Sequence, residues 1–290
     1  MKYIHPSVYF KWICGHTGSL GIRMWFTYGY KSLRGTFPNI SRPSNLSEYI
    51  ISKLLDSEWD KKISVYADKC AVRNYIAAKG YAYTLLECYG EWNSFDEIDF
   101  DSLPNTFVLK ANNGCGNHVF CTDKKKLDKI TIKPIVEKNM AINDIMFKFE
   151  PHYSFIQPKV YAEELMDLES VHGIIDYKFF CVHGEIYGIQ VIGNRHGGNY
   201  DMDLRDSNWI KMQGLTISSE KDIFSKPQNF EKMKEIAKSL SSDFNFVRVD
   251  LYEYKGDVKF GELTFTPGGA LLSSFSKNFL EGVYNKMKSN

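Results

Sequence analysis

The stretch FNFVRVDLYEYKGDVKFGELTFTPGG, residues 244–269, constrains the chain more than any other part of it. Two alternating apolar and polar runs flank Lys255-Gly256-Asp257, the pattern of an antiparallel hairpin with one buried face. Along 246–252, Phe246, Arg248, Asp250 and Tyr252 share one face, and Val247, Val249 and Leu251 share the other. Along 258–265, Val258, Phe260, Glu262 and Thr264 read as one face. A turn centred on Gly256 then sets Asp250 opposite Glu262 and Arg248 opposite Thr264. Two carboxylates facing each other across a strand pair lie about 5 Å apart and destabilise the sheet unless positive charge sits between them. A hard divalent ion with oxygen ligands supplies that charge, and Mg2+ commonly bridges carboxylates to phosphate oxygens. The bland alternative is a solvated face, against which Phe260 and Tyr252 argue. A slip of one residue would separate the acids.

A second stretch, LPNTFVLKANNGCGNHVFCT at 103–122, places a glycine turn behind a run of strand formers that ends in Lys110. Asn112, Asn113, Gly114 and Gly116 tolerate positive φ, and His118 to Cys121 read as a returning strand. No GK[ST] ending and no helix directly behind the glycines are present, so this is neither a Walker loop nor a dinucleotide fingerprint. It is either a plain hairpin or a flap whose backbone N–H groups close over phosphates, with Lys110 reaching an oxygen. A third hairpin, DYKFFCVHGEIYGIQVIGN at 176–194, turns at His183-Gly184 and carries Lys178 among apolar neighbours. That lysine is either a snorkelling edge residue or a phosphate ligand.

Around these hairpins the texture is α+β with antiparallel pairs, not the even alternation of a parallel doubly wound sheet. Strands are expected at 106–110, 118–122, 155–163, 176–182, 185–193, 246–252 and 258–265, and helices near 124–148 and 229–241. Residues 1–60 read as a broken, aromatic-rich helical segment, 61–160 as a first lobe and 161–290 as a second. Asp68 is expected to cap a helix that runs through Lys79 and is closed by Gly80. The polar, glycine-rich IGNRHGGNYD at 192–201 is read as a substrate loop, with Arg195 as a possible carboxylate clamp and an ordinary surface loop as the alternative.

Charge and cysteine usage narrow the function. The net charge is +1, yet Met1 to Ser47 holds six basic residues and no acid, so the remaining 243 residues carry a net −5. The basic residues are thinly spread with no stacking motif, which argues against nucleic acid. The six cysteines form no CxxC pair and read as reduced thiols of a cytoplasmic protein, and the seven histidines show no metal spacing. No apolar run reaches the roughly 18 residues of a membrane span.

Taken in order, the segments DKCAVRNYI (68–76), LPNTFVLKANNGCGNHV (103–119), YAEEL (161–165), DYKFFCVHG (176–184) and FVRVDLYEYKGDVKFGELTFTPGG (246–269) resemble the TupA-like, teichuronopeptide-biosynthesis branch of the ATP-grasp superfamily. The resemblance implies two α+β lobes gripping ATP between antiparallel sheets. It implies that Lys69 and Lys110 contact phosphates under a flap at Gly114, Cys115 and Gly116, and that Lys178 meets the terminal phosphates. Glu163 would meet the adenine amino group, the backbone near Leu165 the ring, and Asp176 the ribose. Asp250 and Glu262 would hold Mg2+, with Thr264 at a position that carries asparagine in many superfamily members. The flap, Asn113-Gly114-Cys115-Gly116, departs from the family's His-Gly-Ser-Gly by one imidazole and one hydroxyl.

The implied reaction is ATP-dependent amide formation through an acyl phosphate, joining an amine or amino acid to a carboxylate. Given the family's association with bacterial surface polysaccharide and teichuronopeptide, the carboxylate would belong to a uronic acid or other sugar acid, or the reaction would extend a polyglutamyl side chain. Arg248 could steady the acyl phosphate, or simply pair with Asp250 or another acid. The acid-free N-terminal segment could meet an anionic saccharide or lipid-linked intermediate at the inner membrane face, or could brace the lobes. Phosphotransfer to a sugar or metabolite, and a non-catalytic nucleotide-binding module, are the rival readings.

Overall fold

The computed structural model describes residues 6–114, 118–141, 149–166, 173–196, 199–216 and 222–289. The chain opens with helices α1 (Pro6–Gly15), α2 (Gly18–Arg34), α3 (Leu46–Lys53), α4 (Ser57–Ala67) and α5 (Val72–Ala78). Side-chain caps start two of them. Asn45 accepts the Glu48 N–H at the head of α3, and Asp56 accepts the N–H groups of Glu58 and Trp59 at the head of α4. Glu48, the first acid of the chain, is buried and accepts from the backbone N–H groups of Asn39 and Ser44. Asp68 is not the N-cap of the next helix: α5 starts at Val72 behind Ala71, and the Asp68 carboxylate instead accepts from the Cys70 and Ala71 N–H groups in the turn ahead of it. The Lys69 N–H in that turn donates to the Asn112 carbonyl.

The smaller sheet holds β1 (Cys88–Trp92), β2 (Phe107–Ala111), β3 (Val119–Cys121) and β4 (Val160–Glu163), with α6 (Lys129–Met140) between β3 and β4 in the chain. Its strand order is β1-β4-β2-β3, all antiparallel. Alternation sorts its two faces. Phe107, Leu109, Val119, Cys121, Val160 and Ala162 pack with Ile132 and Val136 of α6 in one core. Lys110, His118, Phe120, Tyr161 and Glu163 face the other way.

The larger sheet holds β5 (Asp176–Val182), β6 (Glu185–His196), β7 (Asn199–Arg205), β8 (Phe246–Tyr254) and β9 (Asp257–Thr264), in order β7-β6-β5-β8-β9 and again antiparallel. Helix α7 (Phe230–Ser241) precedes β8, and α8 (Lys277–Lys288) follows β9. One face, with Tyr177, Phe179, Val247, Val249 and Leu251, packs against α7 and against Val72 and Ile76 of α5. The opposite face is divided. Phe180, Val182 and Phe246 are covered by Ile22, Phe26 and Tyr30 of α2, by α3 and by α8. Asp176, Lys178, Asp250 and Tyr252 are left open to a cleft.

Three further expectations need correction. The β8–β9 turn has two residues, Lys255 and Gly256, both left-handed, because that conformation suits the strand twist. The ladder therefore starts one residue away from the expected pairing, and a bulge between Asp250 and Leu251 restores it, so Asp250 still faces Glu262. The same bulge turns Val258 and Phe260 onto the core face with Leu251, although Phe260 still borders the cleft beside Glu262. Finally, the supposed loop at 192–201 is largely strand: β6 runs to His196 and β7 starts at Asn199. Strands β1 and β7 were not expected from the sequence.

Candidate active site

A cleft of about 910 Å³ lies between the two sheets. The small sheet contributes Lys110, His118, Phe120, Tyr161 and Glu163, and the large sheet contributes Asp176, Lys178, Asp250, Tyr252 and Glu262. Lys69, Arg73, Leu85, Leu86, Met166 and Arg195 are also part of the wall. Polar groups are concentrated on one cross-strand row, in which Lys178 of β5 pairs with Asp250 of β8, which pairs with Glu262 of β9.

Arg248 occupies the space between the two acids. Its Nε donates to Asp250 at 2.6 Å, and one terminal nitrogen donates to Asp250 at 2.7 Å and to Glu262 and Thr264 at 3.0 Å each. Lys178 also donates to Asp250 and lies 3.7 Å from Asp176. In the protein as it stands, the charge expected between the carboxylates comes from Arg248 and Lys178. Pairing of Arg248 with the acids, the simpler of its two expected roles, is what the geometry displays. Burial would raise the Glu262 pKa, but Arg248, Lys69 and Lys178 outweigh it and hold the carboxyl at about 2. Burial would likewise lower that of Arg248, and Asp250 and Glu262 raise it.

The remaining expected residues sit as follows. Lys69 donates to the Gly114 carbonyl, which joins it to the flap turn, and Gly114 is left-handed at φ 80°. Cys115 and Gly116 lie outside the described residues. Lys110 donates to Glu163 across β2 and β4. Leu165 follows β4 half-buried, and its neighbour Met166, not Leu165, lines the cleft. Arg195 is 52% exposed at its side chain, pairs with Asp176 and lies over the Tyr200 ring. Thr264 donates to Glu262 at 2.7 Å.

The sequence reading missed four residues. Arg73 lines the cleft and donates to the Leu86 carbonyl. His118 and Phe120 share the cleft face with Lys110, a placement that the alternation along His118–Cys121 contains. Glu150 accepts from Thr266 at 2.5 Å, and its carboxyl is raised by burial and by Glu262. Nothing in its sequence context marks it.

The donor chemistry suits a hard divalent cation. Asp250 and Glu262 face each other, and Glu262 is held ionised at the cleft wall with the Thr264 hydroxyl beside it. Among the described residues no group of three or more His, Cys, Asp or Glu side chains converges, so substrate oxygens would have to complete the shell.

A family model described as TupA-like ATPgrasp matches residues 49–286. The chain belongs to the TupA-like ATP-grasp family. Its two α+β lobes with antiparallel sheets are the ATP-grasp fold. No curated protein matches the chain by sequence. Among solved structures, it is similar to a D-alanine–D-alanine ligase from Helicobacter pylori at 15% identity and TM-score 0.43, over 78% of this chain and 61% of that one. It is similar to a D-alanine–D-alanine ligase from Bacillus anthracis at 14% and 0.47, over 78% and 67%. A third likeness is an L-amino acid ligase from Bacillus licheniformis, at 14% and 0.46, over 78% and 51%. The chain thus spans less than two thirds of the first and third of these, and likenesses this distant carry no inference about substrate.

Proposed function

We propose that this TupA-like ATP-grasp protein is an ATP-dependent carboxylate–amine ligase that forms an amide through an acyl phosphate. The acceptor we propose is a uronic acid or other sugar carboxylate of bacterial surface polysaccharide, joined to an amino acid or related amine in the cytoplasm. The observation that carries the reading is the row Lys178–Asp250–Glu262 facing Lys110 across one cleft. A carboxylate and a phosphate repel, so their reaction requires a site that neutralises charge and holds both in line.

In this reading Lys69, Lys110 and Lys178 take phosphate oxygens beneath the Gly114 turn. Glu163 and the backbone beside Leu165 receive adenine, and Asp176 receives the ribose. Most of these side chains are paired with one another, so nucleotide binding is an exchange of partners. Asp250, Glu262 and Thr264 would hold Mg2+, which supplies charge neutralisation between phosphoryl group and carboxylate when bound. Arg248 would turn from the acids to the acyl phosphate, and Arg195 at the cleft mouth would orient the substrate carboxylate.

The N-terminal segment extends the proposal. Arg23, Lys31, Trp12, Leu20 and Phe37 are all exposed, with Lys31 over the Phe37 ring, a combination suited to an anionic lipid-linked acceptor. Among the described residues no helix is long and apolar enough to cross a membrane.

The test is Mg2+-dependent ADP release by wild type and Glu262→Ala, with panels of free and nucleotide-linked uronic acids and amino acids and with hydroxylamine as trap. Glu262-dependent ADP with a hydroxamate is expected, and it names the carboxylate. A phosphorylated product without hydroxamate would replace the ligase by a kinase.

A further inference from the structure

His118 has no task in the reading above. Its ring lines the cleft from the foot of β3, on the same face as Lys110 and Phe120. Its Nδ1 is shielded from solvent and has no hydrogen-bond partner among the described residues. A shielded polar atom without a partner is costly and is rarely left so in a folded protein. A half-turn of the ring about its Cβ–Cγ bond brings that nitrogen to the cleft, where a ligand can be the missing partner.

The groups around the ring decide its charge. Lys110 on β2 and Lys69 ahead of α5 are the cations that face it, and Glu262 on β9 is the acid. Burial first, then the two lysines, hold the imidazole at about 4, so it is neutral at pH 7 in the ligand-free protein. A triphosphate reverses both electrostatic influences. It neutralises the lysines and brings its own negative charge beside the ring. A protonated imidazole then donates from both nitrogens, where the neutral ring donates from one.

We propose that His118 is a ligand of the nucleotide's phosphates and enters the complex by taking up one proton from solvent. The inference rests on the nucleotide reading of the cleft and extends it, since neither the lysines nor the carboxylates require proton-linked binding. The sign is fixed by direction. The pKa rises on binding, so uptake occurs between the free and bound values, and affinity climbs as pH falls through that window.

The experiment is calorimetric titration of wild type and His118→Gln with Mg2+ and a non-hydrolysable ATP analogue. It is run at pH 5.5, 6.5 and 8 in pairs of buffers with different ionisation heats. Subtracting the variant removes the proton contributed by the nucleotide itself. Wild type is expected to take up additional protons, approaching one, at pH 5.5. There it should bind about three- to tenfold more tightly than the variant, with the two converging by pH 8. In wild type, the His118 ring resonance, assigned by its loss in the variant, should titrate about 2 units or more higher with nucleotide than without. Binding by both proteins with identical proton uptake and pH profiles, or an unshifted resonance, overturns the His118 role and leaves the nucleotide reading standing. Absence of nucleotide binding by both folded proteins at every pH removes the two together.

Discussion

Between Asp250 and Leu251 the β8–β9 ladder slips by one residue, and Gly261 sits at the slip. A Cβ built there would lie 2.7 Å from the Tyr252 ring and 3.1 Å from the Asp250 carbonyl, so the bulge has room only for glycine. Gly261→Ala is expected to lower unfolding free energy by about 1–3 kcal/mol through overpacking. It should also weaken binding of the Mg2+–nucleotide, because the relief of the clash disturbs the partner of Glu262. Chemical denaturation and nucleotide titration on one preparation check both, and unchanged affinity would show that the acid pair tolerates a different bulge. At this scale the sequence was readable where alternation and charge coincide, as at Asp250, Glu262 and Lys110. It was not readable where a long side chain chooses its partner. Arg248 can reach either an acid or the cleft, and only packing fixes which. The bulge was equally hidden: it leaves Asp250 opposite Glu262 while moving Phe260 to the other face.

Elements show a different limit. Helix α4 crosses the boundary expected at residue 60, and just there it carries a buried carboxylate, Asp60, whose Oδ1 has no partner among the described residues. Burial, aided by Asp56, pushes its pKa up to about 7 from an ordinary 3.8. Because the folded value is the higher, stability is greatest at low pH and falls as pH rises from near 4 to about 7. Asp60→Asn should therefore stabilise the protein by about 2–4 kcal/mol at pH 8 and by much less at pH 4.5. Urea unfolding at the two pH values measures this. A variant equally destabilised at both would mean that the Asp60 carboxylate has a partner the substitution removes. Strands were legible by alternation, and the His183-Gly184 turn by its glycine. The β6–β7 arm was not: Tyr200, Met202 and Leu204 do alternate with Asp201, Asp203 and Arg205, but the polar, glycine-rich stretch ahead of them carries the signal of a loop. Its pairing rests on backbone bonds and on Asn194 donating to Asp201.

At the scale of the molecule, two lobes around a cleft follow from the hairpins, but the role of the first 48 residues does not. They precede the region matched by the family model, yet α2 and α3 cover half of the face that carries the candidate site. Phe26, 1% exposed, packs with Ile22, Tyr30, Phe180 and Phe246. Arg34 ties α2 to the carbonyls of Leu272 and Phe275 at 2.9 and 2.8 Å, just beyond β9. A brace of this kind should matter more to stability than to ligand affinity, since the cleft residues occupy the other half of the sheet. Phe26→Ala removes a fully buried ring and is expected to cost about 3–5 kcal/mol. If the segment is only a brace, Mg2+–nucleotide affinity measured at low temperature, where the variant remains folded, should stay within about twofold of wild type, less than 0.5 kcal/mol. A tenfold loss in folded protein would instead mean that α2 shapes the cleft through β5 and β8, on which Phe180 and Phe246 share a sheet face with Lys178 and Asp250.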